Sequence, residues 1–134
     1  MTDFETLAAN VCKRPGMYVG CASYAAVCAY LNGFDVARDW GPLMGFHPWM
    51  VLRQGSGDNV AWDRLVLDEA LGKPMPGRDV AELSPEQNKI CVKTLGELLA
   101  AFFEERRRRS VTGILHDYAK WLLRKKAYRG PLRR

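Results

Sequence analysis

Apolar residues in this 134-residue chain recur three and four positions apart, and the two-residue alternation of a half-buried strand is scarce. Tyr24, Val27, Cys28, Leu31 and Phe34 make one such stripe, and Cys91, Leu95, Leu98, Leu99 and Phe102 make another. At 3.6 residues per turn each set falls on one face of a helix. Helices of this kind must bury their stripes against one another, so the expected fold class is all-α: a compact single-domain bundle of five or six helices. The length suits one domain, and a hydrophobic content of 48% is enough for a core.

Turn residues divide the pattern into elements. Phe4 to Cys12 reads as a short first helix, stopped before Pro15-Gly16. Ser23 is a good N-cap for the next helix, which Gly33 interrupts; a glycine there predicts close approach of another backbone. Asp39-Trp40-Gly41-Pro42 ends that segment, and Phe46 to Gln54 reads as a short helix with Pro48 in its first turn. After the break at Gly55-Ser56-Gly57, Asp58 or Asn59 is expected to cap a helix running through Trp62, Leu65 and Val66 to Gly72. Lys73-Pro74-Met75-Pro76-Gly77 reads as a loop stiffened by two prolines.

Ser84-Pro85-Glu86-Gln87 is the best helix start in the sequence: a serine N-cap, proline at the first position, and glutamine three residues after the cap. That helix should reach Arg106–Arg109. A last helix carries Ile114, Leu115, Tyr118, Trp121 and Leu122 on one side and is stopped by Gly130-Pro131.

The net charge of +5 hides an asymmetry. Residues 1–100 hold nine Lys/Arg against twelve Asp/Glu, whereas residues 101–134 hold eleven against three. A basic terminal region marks a nucleic-acid contact, an acidic partner, or a well-solvated terminal helix. Asp3 and Glu5 stand where a secretory signal would be basic, and no window reaches the roughly 18 consecutive apolar residues of a membrane span. The chain is therefore expected to be cytoplasmic, with no membrane partner.

Catalytic and metal-binding patterns are thin. Cys12, Cys21, Cys28 and Cys91 contain no C-x-x-C pair; Cys21 and Cys28, seven apart, would share a face if both lay on one helix. With only His47 and His116 to join them, buried reduced thiols are preferred to zinc, and no cofactor is expected. His116 and Asp117 are adjacent, so on a helix they point apart and cannot orient one another. His47 before Pro48 reads as a turn residue.

The string Lys13-Arg14-Pro15-Gly16-Met17-Tyr18-Val19-Gly20 carries two resemblances. It resembles the segment before the nucleotide-binding helix of type II topoisomerases and related gyrase-type ATPases. That resemblance implies a glutamate base, a magnesium-binding asparagine and a later D-x-G-x-G. Here Asn32 has Cys28 four residues before it instead of glutamate, and Gly55-Ser56-Gly57-Asp58 has the wrong order, so ATP hydrolysis is not expected.

The chain also resembles small bacterial proteins that share R-P-G-M-Y-x-G, a helix ending in an aromatic after glycine, F-x-x-W, a later tryptophan, and an amphipathic helix ending in paired phenylalanines. Those elements are Arg14 to Gly20, Gly33-Phe34, Phe46 to Trp49, Trp62, and Leu95 to Phe103. Within a single domain of 134 residues, 1–105 is the family-like body, and the basic helix and tail of 106–134 fall outside the pattern. Some such proteins resemble immunity proteins encoded beside secreted bacterial toxins.

The resemblance implies a non-enzymatic protein that binds a cognate toxin or effector and occludes its active site. The acidic residues Asp35, Asp39, Asp58, Asp63, Asp68 and Glu69 would then face a basic partner, with Trp49 and Trp62 as anchors or as ordinary core residues. Arg14 is expected to pair with a carboxylate of its own fold, and Met17 and Tyr18 to pack in the joint between two helices. The alternative is nucleic-acid binding through Arg106, Arg107, Arg108, Arg109, Arg124, Lys125, Lys126 and Arg129, with Lys120, Arg133 and Arg134. Four consecutive arginines wrap round a helix, so they cannot make one dedicated face.

Overall fold

The computed structural model describes residues 3–72 and 82–129. Among them are six helices and no strand: α1 (Phe4–Lys13), α2 (Pro15–Val19), α3 (Tyr24–Ala37), α4 (Phe46–Gln54), α5 (Trp62–Leu71) and α6 (Pro85–Arg129). The expected loop at residues 73–77 and the stop at Gly130-Pro131 lie outside the described residues.

Helix α6 is the organising element. It packs against α1, α3, α4 and α5, and its first arm spans residues 85–109. With neighbours on several sides it buries a wide band: Cys91, Val92, Leu95, Leu98, Leu99, Phe102 and Phe103. The other helices contribute Val11, Tyr24, Val27, Leu31, Phe46, Met50, Val51, Leu65 and Val66 to the same core. The Tyr24 hydroxyl, fully enclosed, donates to the Asp63 carbonyl at 2.6 Å, so burying it leaves no polar group unmet.

The start of α6 follows its sequence signature. The Gln87 amide donates to Ser84 Oγ at 3.2 Å, and Gln87 Oε1 accepts from the Ser84 amide at 2.9 Å. This reciprocal capping box satisfies two backbone donors that the first turn would otherwise leave open. Ser84→Ala removes one half of it. We expect a loss of about 1 kcal/mol in urea denaturation, with an unchanged far-UV spectrum.

Ser110 breaks α6 with φ 71° and ψ 161°, dihedrals that glycine adopts freely and serine does not. Its Oγ accepts from the Gly113 amide at 3.3 Å, starting the second arm, residues 111–129. That arm returns to the body: Ile114 is fully buried, Tyr118 meets His47 edge-on, and Lys125 pairs with Asp58. Leu115, expected on the inner side, is exposed.

Four local expectations are corrected. Pro15–Val19 is a short helix instead of a simple turn, because proline suits a first helical position; Gly20 closes it at φ 78°. Among the described residues nothing approaches Gly33, so no close backbone contact there calls for a glycine. Helix α5 is capped by Ala61 with no side-chain bond, since it starts at Trp62, beyond the reach of Asp58 and Asn59 as N-caps. Cys21 precedes α3 and is exposed, whereas Cys28 is buried within it, so the two share no helical face.

Candidate functional site

The turn after α3 shapes one wall of a cleft. Asp35 is buried, with 5% of its surface exposed, and organises this turn twice over. Its Oδ1 accepts from the Leu43 amide at 2.8 Å, and its carbonyl accepts from the Trp40 amide at 2.8 Å. The chain reverses through Asp39 and Trp40 at φ 59° and 63°, a left-handed conformation unusual for tryptophan. Trp40 consequently stands out from the turn with 61% of its surface exposed.

Arg106 fixes the same turn from below. Its guanidinium lies 4.9 Å and 5.2 Å from the ring centres of Phe102 and Phe103. Nη1 donates to the carbonyls of Pro42 at 2.8 Å, Met44 at 3.1 Å and Gly41 at 3.4 Å. Burial draws its pKa below the ordinary value, while Glu5 and Asp35 oppose that shift. Gly45, at φ 93°, then admits the chain into α4.

The facing wall is the segment before α5. His47 Nε2 lies 2.8 Å from the Val60 carbonyl, and Trp62 Nε1 donates to Asn32 Oδ1 at 3.2 Å, tying that segment to α4 and α3. Between the walls lies a cleft of about 720 Å³, lined by Asp35, Val36, Trp40, Asp58, Val60 and Trp62 among others. That volume is within the range of small-molecule and side-chain sites.

Beside the cleft, the outer side of α3 exposes Ala29, Tyr30, Gly33, Val36 and Ala37, with no charged group among them. The ring of Tyr18 meets that of Tyr30 edge-on at 6.4 Å, carrying this surface onto α2. Met17, expected in the joint, is 75% exposed, and Tyr18 is also partly exposed. Arg14 is exposed, and no carboxylate among the described residues pairs with it. Arg14, Met17 and Tyr18 of the conspicuous string therefore lie on the surface, while Val19 packs against the core.

Of the acidic and aromatic candidates, Asp35, Asp58 and Trp62 meet in the cleft, and Asp39 sits next to Trp40 at its edge. The remainder lie elsewhere. The Asp63 carboxylate accepts from the Arg64 amide, Asp68 lies 3.7 Å from Arg64, and Glu69 pairs with Arg53 at 2.9 Å. Trp49 stacks on Phe46 and tilts against Phe102 at the edge of the core. Asp58, Asp68 and Glu69, half of the acidic set, are thus already paired with a cation of the fold.

The basic candidates separate in the same way. Arg106 holds the turn. Arg107 pairs with Glu5 and Glu104, Arg108 with Glu105, and Arg109 with Glu105 and Asp117. Lys125 pairs with Asp58 and lies over Trp121, while Lys120, Arg124 and Lys126 are exposed. The side chain of Arg129, together with Arg133 and Arg134, lies outside the described residues.

Among the described residues no group of three His, Cys, Asp or Glu side chains is placed to hold a metal ion, and no helix is long and apolar enough to cross a membrane. Burial pushes the Cys12 thiol up to about 12 and that of Cys28 higher still, so both stay protonated at neutral pH. Iodoacetamide at pH 8 should therefore add one group to the native chain, at the exposed Cys21, and four after denaturation. Intact-mass analysis checks this, and rapid native labelling of Cys12 would contradict it.

No family model, curated protein or solved structure matches the chain.

Proposed function

We propose that this chain is a non-enzymatic, immunity-type binding protein that neutralises a cognate toxin or effector by covering its active site. The observation that carries this reading is the uncharged outer side of α3, continuous with exposed Met17 and Tyr18 at one side and with Val36 and Trp40 at the cleft. Water-facing aromatics and methionine gathered on one surface favour a protein partner, because interface cores are enriched in these residues. Ion pairs within the fold shift the emphasis from the acidic set as a whole to the cleft and α3.

The test is co-expression with the neighbouring gene product, followed by co-purification and a growth assay. A stable complex that relieves toxicity, and that is weakened at least tenfold by Tyr30→Glu or Trp40→Ala, is the expected result. A partner that binds both variants unchanged would overturn the assignment of the surface.

Nucleic-acid binding is the second reading, favoured by the exposed Lys120, Arg124 and Lys126 on the second arm of α6. Three such cations would give weak, strongly salt-dependent binding. A duplex retarded at low salt and still retarded at physiological salt would promote this reading above the first.

A further inference from the structure

We infer that the cleft between Trp40 and Trp62 receives an arginine side chain of the partner protein, with Asp35 as its counter-charge. This rests on the protein-binding reading above and adds the chemistry by which the partner is held.

The argument starts from Asp35. Its Oδ1 takes the Leu43 amide, but among the described residues Oδ2 has no hydrogen-bond donor, and no cation lies at ion-pair distance from the carboxylate. The nearby guanidinium of Arg106 spends its Nη1 on three carbonyls instead. No buried side-chain oxygen or nitrogen in the described fold lacks a partner, so Oδ2 must still reach solvent. Asp35 lines the cleft, so a group seated there lies against this residue. A carboxylate that is 95% enclosed and leaves one oxygen to solvent gains when a charged donor takes the place of that water.

The walls select the donor. Trp40 and Trp62 both line the cleft, and indole faces attract cations most strongly among the aromatics. A guanidinium is flat and weakly hydrated, so it stacks on indole while still presenting N–H groups to a carboxylate, which an ammonium does less well. The left-handed backbone at Asp39 and Trp40 holds the exposed indole at the mouth. The cleft is continuous with the uncharged side of α3 through Val36, so an arginine projecting from a docked protein would enter it directly.

The experiment is a titration of the ¹⁵N-labelled full chain, following the indole Nε1–H signals of its four tryptophans. Nα-acetyl-arginine amide is the probe, Nα-acetyl-norleucine amide the uncharged control, and free arginine a third ligand. The expected result is saturable movement of the Trp40 and Trp62 signals with the arginine amide, at least tenfold stronger than with norleucine amide, with Trp121 unmoved. Asp35→Asn keeps an acceptor for the Leu43 amide and should weaken binding at least tenfold. Trp40→Ala, at an exposed position, should do the same and guards against misfolding of the Asp35 variant.

Equal response to the norleucine control, or unchanged binding in Trp40→Ala or in folded Asp35→Asn, overturns the inference. Tighter binding of free arginine than of its amide would overturn the assignment to a protein side chain. The probe is independent of the partner, so failure here leaves co-purification to stand or fall separately.

Discussion

Phe102→Ala should remove about 3–5 kcal/mol of stability, the largest effect expected of any single substitution considered. Phe102 is fully enclosed, and its ring meets Phe46 at 5.2 Å, Trp49 at 5.8 Å and Phe103 at 5.4 Å. These partners come from α4 and α6, so they cannot collapse together into the space left by the ring without separating from other neighbours. The lost transfer energy is therefore joined by a cavity term. Domains of this kind hold about 5–15 kcal/mol in total, so the variant should show a markedly lower urea midpoint, or no cooperative transition. Phe102→Leu, which refills part of the volume, should lie between the two. A midpoint for the alanine variant within experimental error of the parent would show that this aromatic cluster is not the centre of the core.

Helix positions were largely legible in the sequence, because local signals and the global pattern agree. The reciprocal bonds of Ser84 and Gln87 and the buried set Cys91, Leu95, Leu98, Leu99 and Phe102 are where periodicity and capping place them. So is Ser23, whose Oγ accepts from the Ala26 amide. Proline and glycine misled in two places: Gly33 marks no close approach, and Pro15 and Gly16 read as a turn, yet proline is as good at a first helical position as in a turn, and only the packing decides.

The candidate site was less legible. Asp35, Asp58 and Trp62 are 23 and 4 residues apart along the chain, and nothing in their spacing brings them together. Their meeting depends on how α3, α4 and α5 dock. The pairing of the charged candidates was hidden for a related reason: counting charges cannot reveal that Arg109 and Asp117, or Lys125 and Asp58, compensate one another. Trp40 was read only as part of a helix stop. The signal for it was present, since a tryptophan between an aspartate and Gly-Pro has no helical face on which to be buried.

Arg106→Ala is the second large effect, and it separates one arginine from three that look identical in sequence. Arg106 donates to three carbonyls of the turn at residues 41–44 and covers the rings of Phe102 and Phe103, so its loss removes charge-assisted bonds and apolar cover together. We expect a cost of about 2–3 kcal/mol. Arg106→Lys should recover only part of it, because a single ammonium cannot span the three carbonyls as the guanidinium does. Arg107→Ala and Arg108→Ala remove exposed, solvent-screened pairs with Glu5, Glu104 and Glu105 and should leave the urea midpoint close to that of the parent. The same series reports on function, because the turn that Arg106 holds carries Leu43, the donor to Asp35, and follows directly on Trp40. In the alanine variant the Trp40 indole signal should move or broaden and binding of Nα-acetyl-arginine amide should weaken, while Arg107→Ala and Arg108→Ala leave both unchanged. Equal losses of stability and binding across all the variants would mean that the run acts as one charged unit, and would remove the structural role assigned to Arg106.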